Sequence, residues 1–355
     1  MNKFLLKKYI AIVACLLGSF AIISFSAIVS HNFTMAGQTA NFASSSQSRP
    51  SGGGAPDDEE SESTDGTSRN ILPDFNMLIL GLDDGILPDA IMLLMYDGEN
   101  NMIDVVSVPR DTRVILTPEE RQMFTDFGRR YPSHHWLKIN ELNSWGGMEN
   151  GHRLIARHLE LTLDIDIHFY TILEMEIVKD IVDAVDGIYM DIRPQGFHYN
   201  PRDAQGRPAG TIIVNIPGGR QLLDGNRAEQ VLRFRQFQDG DIGRIHTQQQ
   251  FMREFFNQAL TAEAIMSNPG TFVNAFATRV RTDFGVLDIA RYIGAVDALN
   301  PDSIEFHTLP GHADFMRDPA GVNRSWFFVD VMQARELMEE IREGNIAAAS
   351  SITLP

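Results

Sequence analysis

The chain has 355 residues, 43% of them hydrophobic, with 47 acidic against 30 basic side chains and a net charge of −17. That length supports one large domain or two small ones with a real core, and the apolar content excludes a disordered chain. The acidic balance excludes nucleic acid as the main partner, which needs a broad basic face; the single cysteine, Cys15, excludes an intrachain disulfide and a Cys-based metal cage.

Taken in chain order, Lys3, Lys7 and Lys8 precede an uncharged run at 9–29, the length of a membrane-spanning helix. Positive charge on its amino side places residues 1–8 in the cytoplasm and the remainder outside the cell. The run is longer than the apolar region of an ordinary signal peptide, which favours a signal anchor over a cleaved leader. It also continues past Cys15, which weakens a lipoprotein reading. Residues 30–70 form an extracellular linker, serine-rich at 44–48, glycine-rich at 52–54 and acidic at 57–62; such a stretch buries too little apolar surface to order itself. A folded domain is predicted over 71–345, followed by a tail at 346–355.

Within that domain, short apolar runs bounded by Asp, Gly or Pro predict strands at 76–82, 91–96 and 103–108. An amphipathic helix follows at 151–163, then a strand at 168–173, a helix at 176–185, a turn at Asp186-Gly187 and a strand at 188–192. Helices are predicted at 226–232, 245–262 and 287–299, a strand at 303–309 and a closing helix at 329–343. This order predicts an α/β class: a three-layer α-β-α domain with a central mixed sheet, preceded by one N-terminal transmembrane helix.

The first three strands are joined by short links and are expected to pair antiparallel in sequence. That arrangement brings Asp83, Asp89, Arg110 and Asp111 to one edge of the sheet, a setting for a metal ion and a phosphate. In Arg233-Phe234-Arg235 an extended backbone points both guanidiniums to one face. Arg244 opens the long helix and shares a side with Thr247, Gln248 and Phe251, where N–H groups favour anions. Planar guanidiniums match phosphate bidentately. Plainer readings stand beside each: a hairpin loop at Asp83-Asp84-Gly85, a surface ion pair at Arg110-Asp111, a solvated edge strand and a polar first turn. His134-His135 and His307 with His312 lack a third ligand at a diagnostic spacing and read as structural or surface histidines. There is no P-loop and no Gly-x-Ser-x-Gly.

The ordered set 76–83, Asp89, 107–112, Lys138-Ile139-Asn140 with Gly146-Gly147, 185–188, Leu223-Asp224-Gly225, Arg233-Phe234-Arg235 and 241–244 leading to Gln248-Gln249 covers about 170 residues. It resembles the LytR–CpsA–Psr family of cell-wall glycopolymer transferases. The resemblance implies a polyprenyl-pyrophosphate-linked glycan as donor, its lipid in an apolar tunnel under the sheet, and peptidoglycan as acceptor. It implies Asp83 and Asp89 as metal-associated, with Mg2+ (or Mn2+) as cofactor, and Arg110, Arg233, Arg235 and Arg244 as pyrophosphate-binding, with Gln248 beside them. Asp89 and Arg110 would be catalytic, Asp89 taking a proton from the attacking hydroxyl; Asp111, Asn140 and Asp241 are further motif positions. The chain departs from the family pattern at Gly85 and Leu87, where arginines are usual, at Pro88-Asp89-Ala90 in place of Ser-Asp-Thr, and at Thr247 in place of arginine. Arg113, Lys138 or His246 are the candidates to compensate. The alternatives are a non-catalytic module that binds the same lipid-linked glycan and regulates wall assembly, or a polyprenyl-pyrophosphate hydrolase.

Overall fold

This computed structural model describes residues 72–82, 86–132, 137–200, 214–237, 240–259, 278–285, 287–288, 291–292, 301–318 and 321–344. The predicted span at 9–29, the linker, Asp83, the His134-His135 pair and most of the predicted helix 287–299 lie outside the described residues. Among the described residues no helix is long and apolar enough to cross a membrane.

In chain order the strands are β1 (Phe75–Leu82), β2 (Pro88–Asp97), β3 (Met102–Ser107), β4 (Arg113–Val114), β5 (Leu137–Lys138), β6 (Phe169–Glu174), β7 (Ile188–Ile192), β8 (Phe197–Tyr199), β9 (Val214–Ile216), β10 (Gly219–Leu223), β11 (Val280–Thr282), β12 (Ile304–Thr308), β13 (Gly311–Arg317) and β14 (Asn323–Val329). The helices are α1 (Pro118–Asp126), α2 (Ile139–Leu163), α3 (Ile177–Ala184), α4 (Gly225–Arg233), α5 (Asp241–Ala259) and α6 (Val331–Glu343).

A six-stranded sheet runs in the order β11-β6-β1-β2-β3-β12. β1, β2 and β3 pair antiparallel, as their short links require. β6 and β12 add parallel to β1 and β3, while β11 is antiparallel to β6, so the sheet is mixed. The central strands bury residues on both faces, with no polar side along β1 or β2, because helices cover both. Leu78, Leu80, Leu93 and Val106 pack against α1, α2 and α6 through Phe124, Leu154, Ile155, Leu159 and Met338. The other face, with Met77, Leu94 and Val105, packs against α3, α4 and α5 through Ile177, Val182, Leu232, Phe251 and Phe255.

Two helices differ from expectation. α1 went unpredicted for want of an apolar stripe, yet its start is written locally: Thr117 and Glu120 form a reciprocal capping box with Pro118 in the first turn. α2 begins twelve residues before the predicted helix at 151–163, since Gly146-Gly147 is a kink inside a helix rather than a turn. Gly147 has φ +77°, and a Cβ on Gly151 would come within 2.5 Å of Asn143 Cα, so the kink lets two turns approach more closely than side chains permit.

His152 lies on α2 beneath the ring of Tyr170, with ring centroids 3.9 Å apart. Burial, reinforced by the charges of Arg153 and Arg281, pushes its imidazole down from 6.5 to about 4. The unfolded chain takes up this proton near its ordinary value and the folded one refuses it, so stability is lost as pH falls through that window. The loss is on the order of 3 kcal/mol. Urea midpoints measured between pH 7 and pH 4 should fall, and His152→Leu should flatten that slope by a comparable amount. A slope unaltered by the substitution would assign the acid sensitivity to another group.

Candidate functional site

β1 ends and β2 begins side by side, Leu82 opposite Pro88, which places Asp89 at the end of the sheet. The loop leading into it is held from α2, where Asn143 Nδ2 donates to the Ile86 carbonyl at 2.5 Å. At the exit of β3 the chain turns tightly: Thr112 donates to the Pro109 carbonyl from both its backbone N–H and its hydroxyl, at 3.0 and 2.6 Å. The backbone N–H of Arg110 donates to Asp241 Oδ2 at 3.0 Å, and that of Phe327 to the Asp111 carbonyl at 2.9 Å. The turn carrying Arg110 is thus pinned between the first residue of α5 and the hairpin strand β14.

These anchors converge on Asp89. Its Oδ1 accepts from Arg110 Nη1 and its Oδ2 from Arg235 Nη2, while Arg244 Nη1 lies 3.5 Å from Oδ1. Arg244 Nη2 donates to Asp241, and Lys138 Nζ meets Asp111 Oδ1 at 2.8 Å. Among the described residues four cations thereby face three carboxylates. Arg244 is almost fully buried, at 4% side-chain exposure, whereas Arg235 is half open at 49%. Arg244 Nε is buried with no hydrogen-bond acceptor among the described residues, and Arg110 Nε is buried with Asp241 Oδ1 distant at 3.5 Å; a ligand oxyanion is the partner such donors lack. Burial opposes ionisation of Asp89, but the charges of Arg235, Arg244 and Arg110 outweigh it and hold the carboxyl below its ordinary value. At Asp241 burial wins and the carboxyl is pushed up despite Arg244 and Arg110. Burial also lowers the Arg244 guanidinium from its very high ordinary value.

The site residues expected from sequence separate into groups. Asp89, Arg110, Asp111, Arg235, Asp241 and Arg244 are brought together. Among the described residues Arg233 pairs elsewhere, with Glu229 at 3.1 Å and Glu176 at 3.3 Å, and it is the last residue of α4 rather than part of a strand. The extended reading fails at Arg233 because the helix runs through it and only Phe234 leaves it. Gln248 lines a cavity instead of joining the ion pairs. Asn140 is buried in the first turn of α2, its Oδ1 without a hydrogen-bond partner among the described residues. Of the candidates to offset missing positive charge, Lys138 joins the cluster through Asp111, Arg113 stacks over Phe328 at 5.7 Å, and His246 is exposed. Thr247 is buried and donates its hydroxyl to the Gly243 carbonyl at 2.9 Å, so no charge replaces the usual arginine there. Asn143 was missed, because nothing in its local sequence marks a residue that acts on a loop 57 positions away.

Beside the cluster an apolar cavity of about 160 Å³ lies between the sheet and helices α3, α4 and α5. Its floor is Met77, Ile79, Gly81, Ala90, Met92 and Val105, and its far wall includes Val178, Leu232, Phe251 and Phe255. Ala90 follows Asp89 directly, and Gln248 stands one helical turn beyond Arg244, so the cavity begins where the arginines end. Among the described residues, the one group of three side chains with the geometry to hold a metal ion is Asp104, Glu305 and His307 on β3 and β12; none of these belongs to the Asp89 cluster.

The model of the LytR_cpsA_psr family matches residues 40–343. A polyisoprenyl-teichoic acid–peptidoglycan teichoic acid transferase, TagU of Oceanobacillus iheyensis, is 26% identical over 265 residues, 72% of this chain and 70% of that protein. The crystal structure of TagV from B. subtilis superposes with a TM-score of 0.55 at 20% identity, covering 75% of this chain and 96% of the other. A structure of TagT bound to LI-WTA superposes at 0.52 with 19% identity, covering 76% and 90%. At these identities the two structural likenesses establish the fold.

The different partners of Arg233 and Arg235 among the described residues yield a sharp contrast. Arg235→Ala should weaken binding of inorganic pyrophosphate about 10- to 100-fold, as expected for loss of a charge-assisted hydrogen bond. Arg233→Ala should leave the affinity unchanged in the same calorimetric titration.

Proposed function

The chain belongs to the LytR_cpsA_psr family, and from that membership we propose that it is a membrane-anchored, extracellular phosphotransferase. It moves a glycopolymer from a polyprenyl-pyrophosphate carrier to peptidoglycan. The observation that carries the reading is the nearness of the two halves of the site: an arginine cluster suited to a diphosphate lies next to an apolar cavity suited to a prenyl chain, whose lining includes Ala90 beside Asp89 and Gln248 one turn from Arg244. A ligand that is a diphosphate at one end and a hydrocarbon at the other fits both at once. TagU is named for the same transfer of teichoic acid, and TagT has been crystallised with LI-WTA.

In this reading the diphosphate takes over the guanidiniums that Asp89 holds in its absence. Arg110, Arg235 and Arg244 neutralise its oxygens and spread the charge that builds during phosphoryl transfer. Asp241 keeps Arg244 and the Arg110 backbone in place, and Lys138 with Asp111 closes the rim. A hydroxyl of peptidoglycan attacks the phosphorus that carries the glycan. The bond from that phosphorus to the bridging oxygen breaks, and polyprenyl phosphate leaves with the electron pair. Asp89, released by the guanidiniums, accepts the hydroxyl proton. Oxygen ligands suit a hard cation such as Mg2+ or Mn2+, which when bound adds positive charge against the diphosphate; Asp89 and, by the family resemblance, Asp83 are the carboxylates that would hold it.

The full chain, incubated with a short-chain polyprenyl-pyrophosphate glycan, magnesium and peptidoglycan, should form a glycan–phosphate–peptidoglycan product and release polyprenyl phosphate. Phosphate release that ignores the acceptor, or binding without turnover, would overturn the transferase reading in favour of a hydrolase or a binding module. Val178→Trp, which fills the cavity from α3, should raise KM for the prenylated donor at least about tenfold while leaving affinity for inorganic pyrophosphate unchanged.

A further inference from the structure

β3 and β12 run parallel with Asp104 beside Glu305 and His307 beside Val106. Ile103, Val105 and Ile304 of these strands line the apolar cavity, so the alternation of a strand sends Asp104, Glu305 and His307 to the opposite face of the sheet. There the donor atoms of the three side chains all lie within 4.8 Å of one another. His307 Nε2 stands 2.7 Å from Asp104 Oδ1, and Asp104 is 4% exposed. Like charges directly opposite on adjacent strands repel, and a buried carboxylate demands a counter-charge. A single imidazolium supplies one positive charge against two carboxylates. A divalent cation satisfies both and takes the imidazole as a neutral ligand.

We propose that Asp104, Glu305 and His307 form a divalent-cation site on the sheet face opposite the cavity, separate from the arginine cluster. One imidazole and two carboxylates suit Zn2+ or Mn2+ better than Ca2+, which takes oxygen ligands throughout. Three protein ligands leave a further position for water. Asp104 also borders a polar cavity of about 600 Å³ whose rim carries Asp74, Asp97, Glu160, Asp164 and Asp166 against Arg157 and Arg342, a net negative charge. Such a rim concentrates cations. His307 and Asp104 are 203 positions apart, so no spacing rule could have joined them.

The test is zinc binding by the metal-free, detergent-solubilised full chain, followed by equilibrium dialysis against buffered zinc. The wild type should hold one equivalent more than Glu305→Gln and His307→Ala, and each variant should bind that equivalent about 100-fold more weakly. Glu305 is only partly buried, so Glu305→Gln reports on the site even where His307→Ala perturbs folding, which circular dichroism monitors. Stoichiometry and affinity unchanged in Glu305→Gln would overturn the three-ligand site, as would loss confined to His307→Ala.

Discussion

A single carboxylate organises this molecule's functional end. Asp89 draws in guanidiniums from positions 110, 235 and 244, which come from a strand exit, a helix exit and a helix start. Three arginines at that separation repel one another, and an anion at their centre relieves the repulsion. Asp89 supplies that anion, and Asp241 and Asp111 hold the outer members. The cluster is therefore assembled before any ligand arrives, as electrostatic stabilisation of a transferring phosphoryl group requires. A diphosphate carries more charge than one carboxylate and can displace it from the same partners.

The sheet contributes through the inequality of its two faces. Against α1, α2 and α6, Leu78, Leu80, Leu93 and Val106 meet a packed apolar core. On the other side Gly81 and Ala90 sit opposite each other in the register of β1 and β2, and these two small residues leave the cavity its end nearest Asp89. A Cβ at Gly81 would touch Ala90 Cβ at 3.1 Å and Met175 Sδ at 3.4 Å, so even one methyl group would tighten that end. The aromatic rings of α5 form the distant wall. Small residues close to the charge and large ones farther along it are what a headgroup followed by a hydrocarbon chain demands.

Strands β1, β2, β3, β6, β7 and β12 were legible because apolar runs bounded by Asp, Gly and Pro are decided locally, and the antiparallel order of β1 to β3 followed from links too short for a crossover, whereas the short strands and the β13–β14 hairpin were not predicted. The convergence of Asp89 and Arg110 followed from that order. What failed depended on helix limits or distant contacts. Arg233 and Arg235 look equivalent in sequence, yet α4 ends between them and the ion pair of Arg233 with Glu229 is an i,i+4 contact within that helix. Gly146-Gly147 bends a helix at a position where glycine usually ends one. His307, with His312, reads as a structural or surface histidine because Asp104 meets it only through the parallel pairing of β3 with β12.

The most direct measurement is the affinity of Asp89→Asn for inorganic pyrophosphate in metal-free buffer. Asparagine keeps the shape of the side chain and removes its charge. If Asp89 competes with the ligand for the three guanidiniums, the variant binds pyrophosphate more tightly than the wild type. Equal or weaker binding would contradict the account, because the arginines would then be held by something other than this carboxylate.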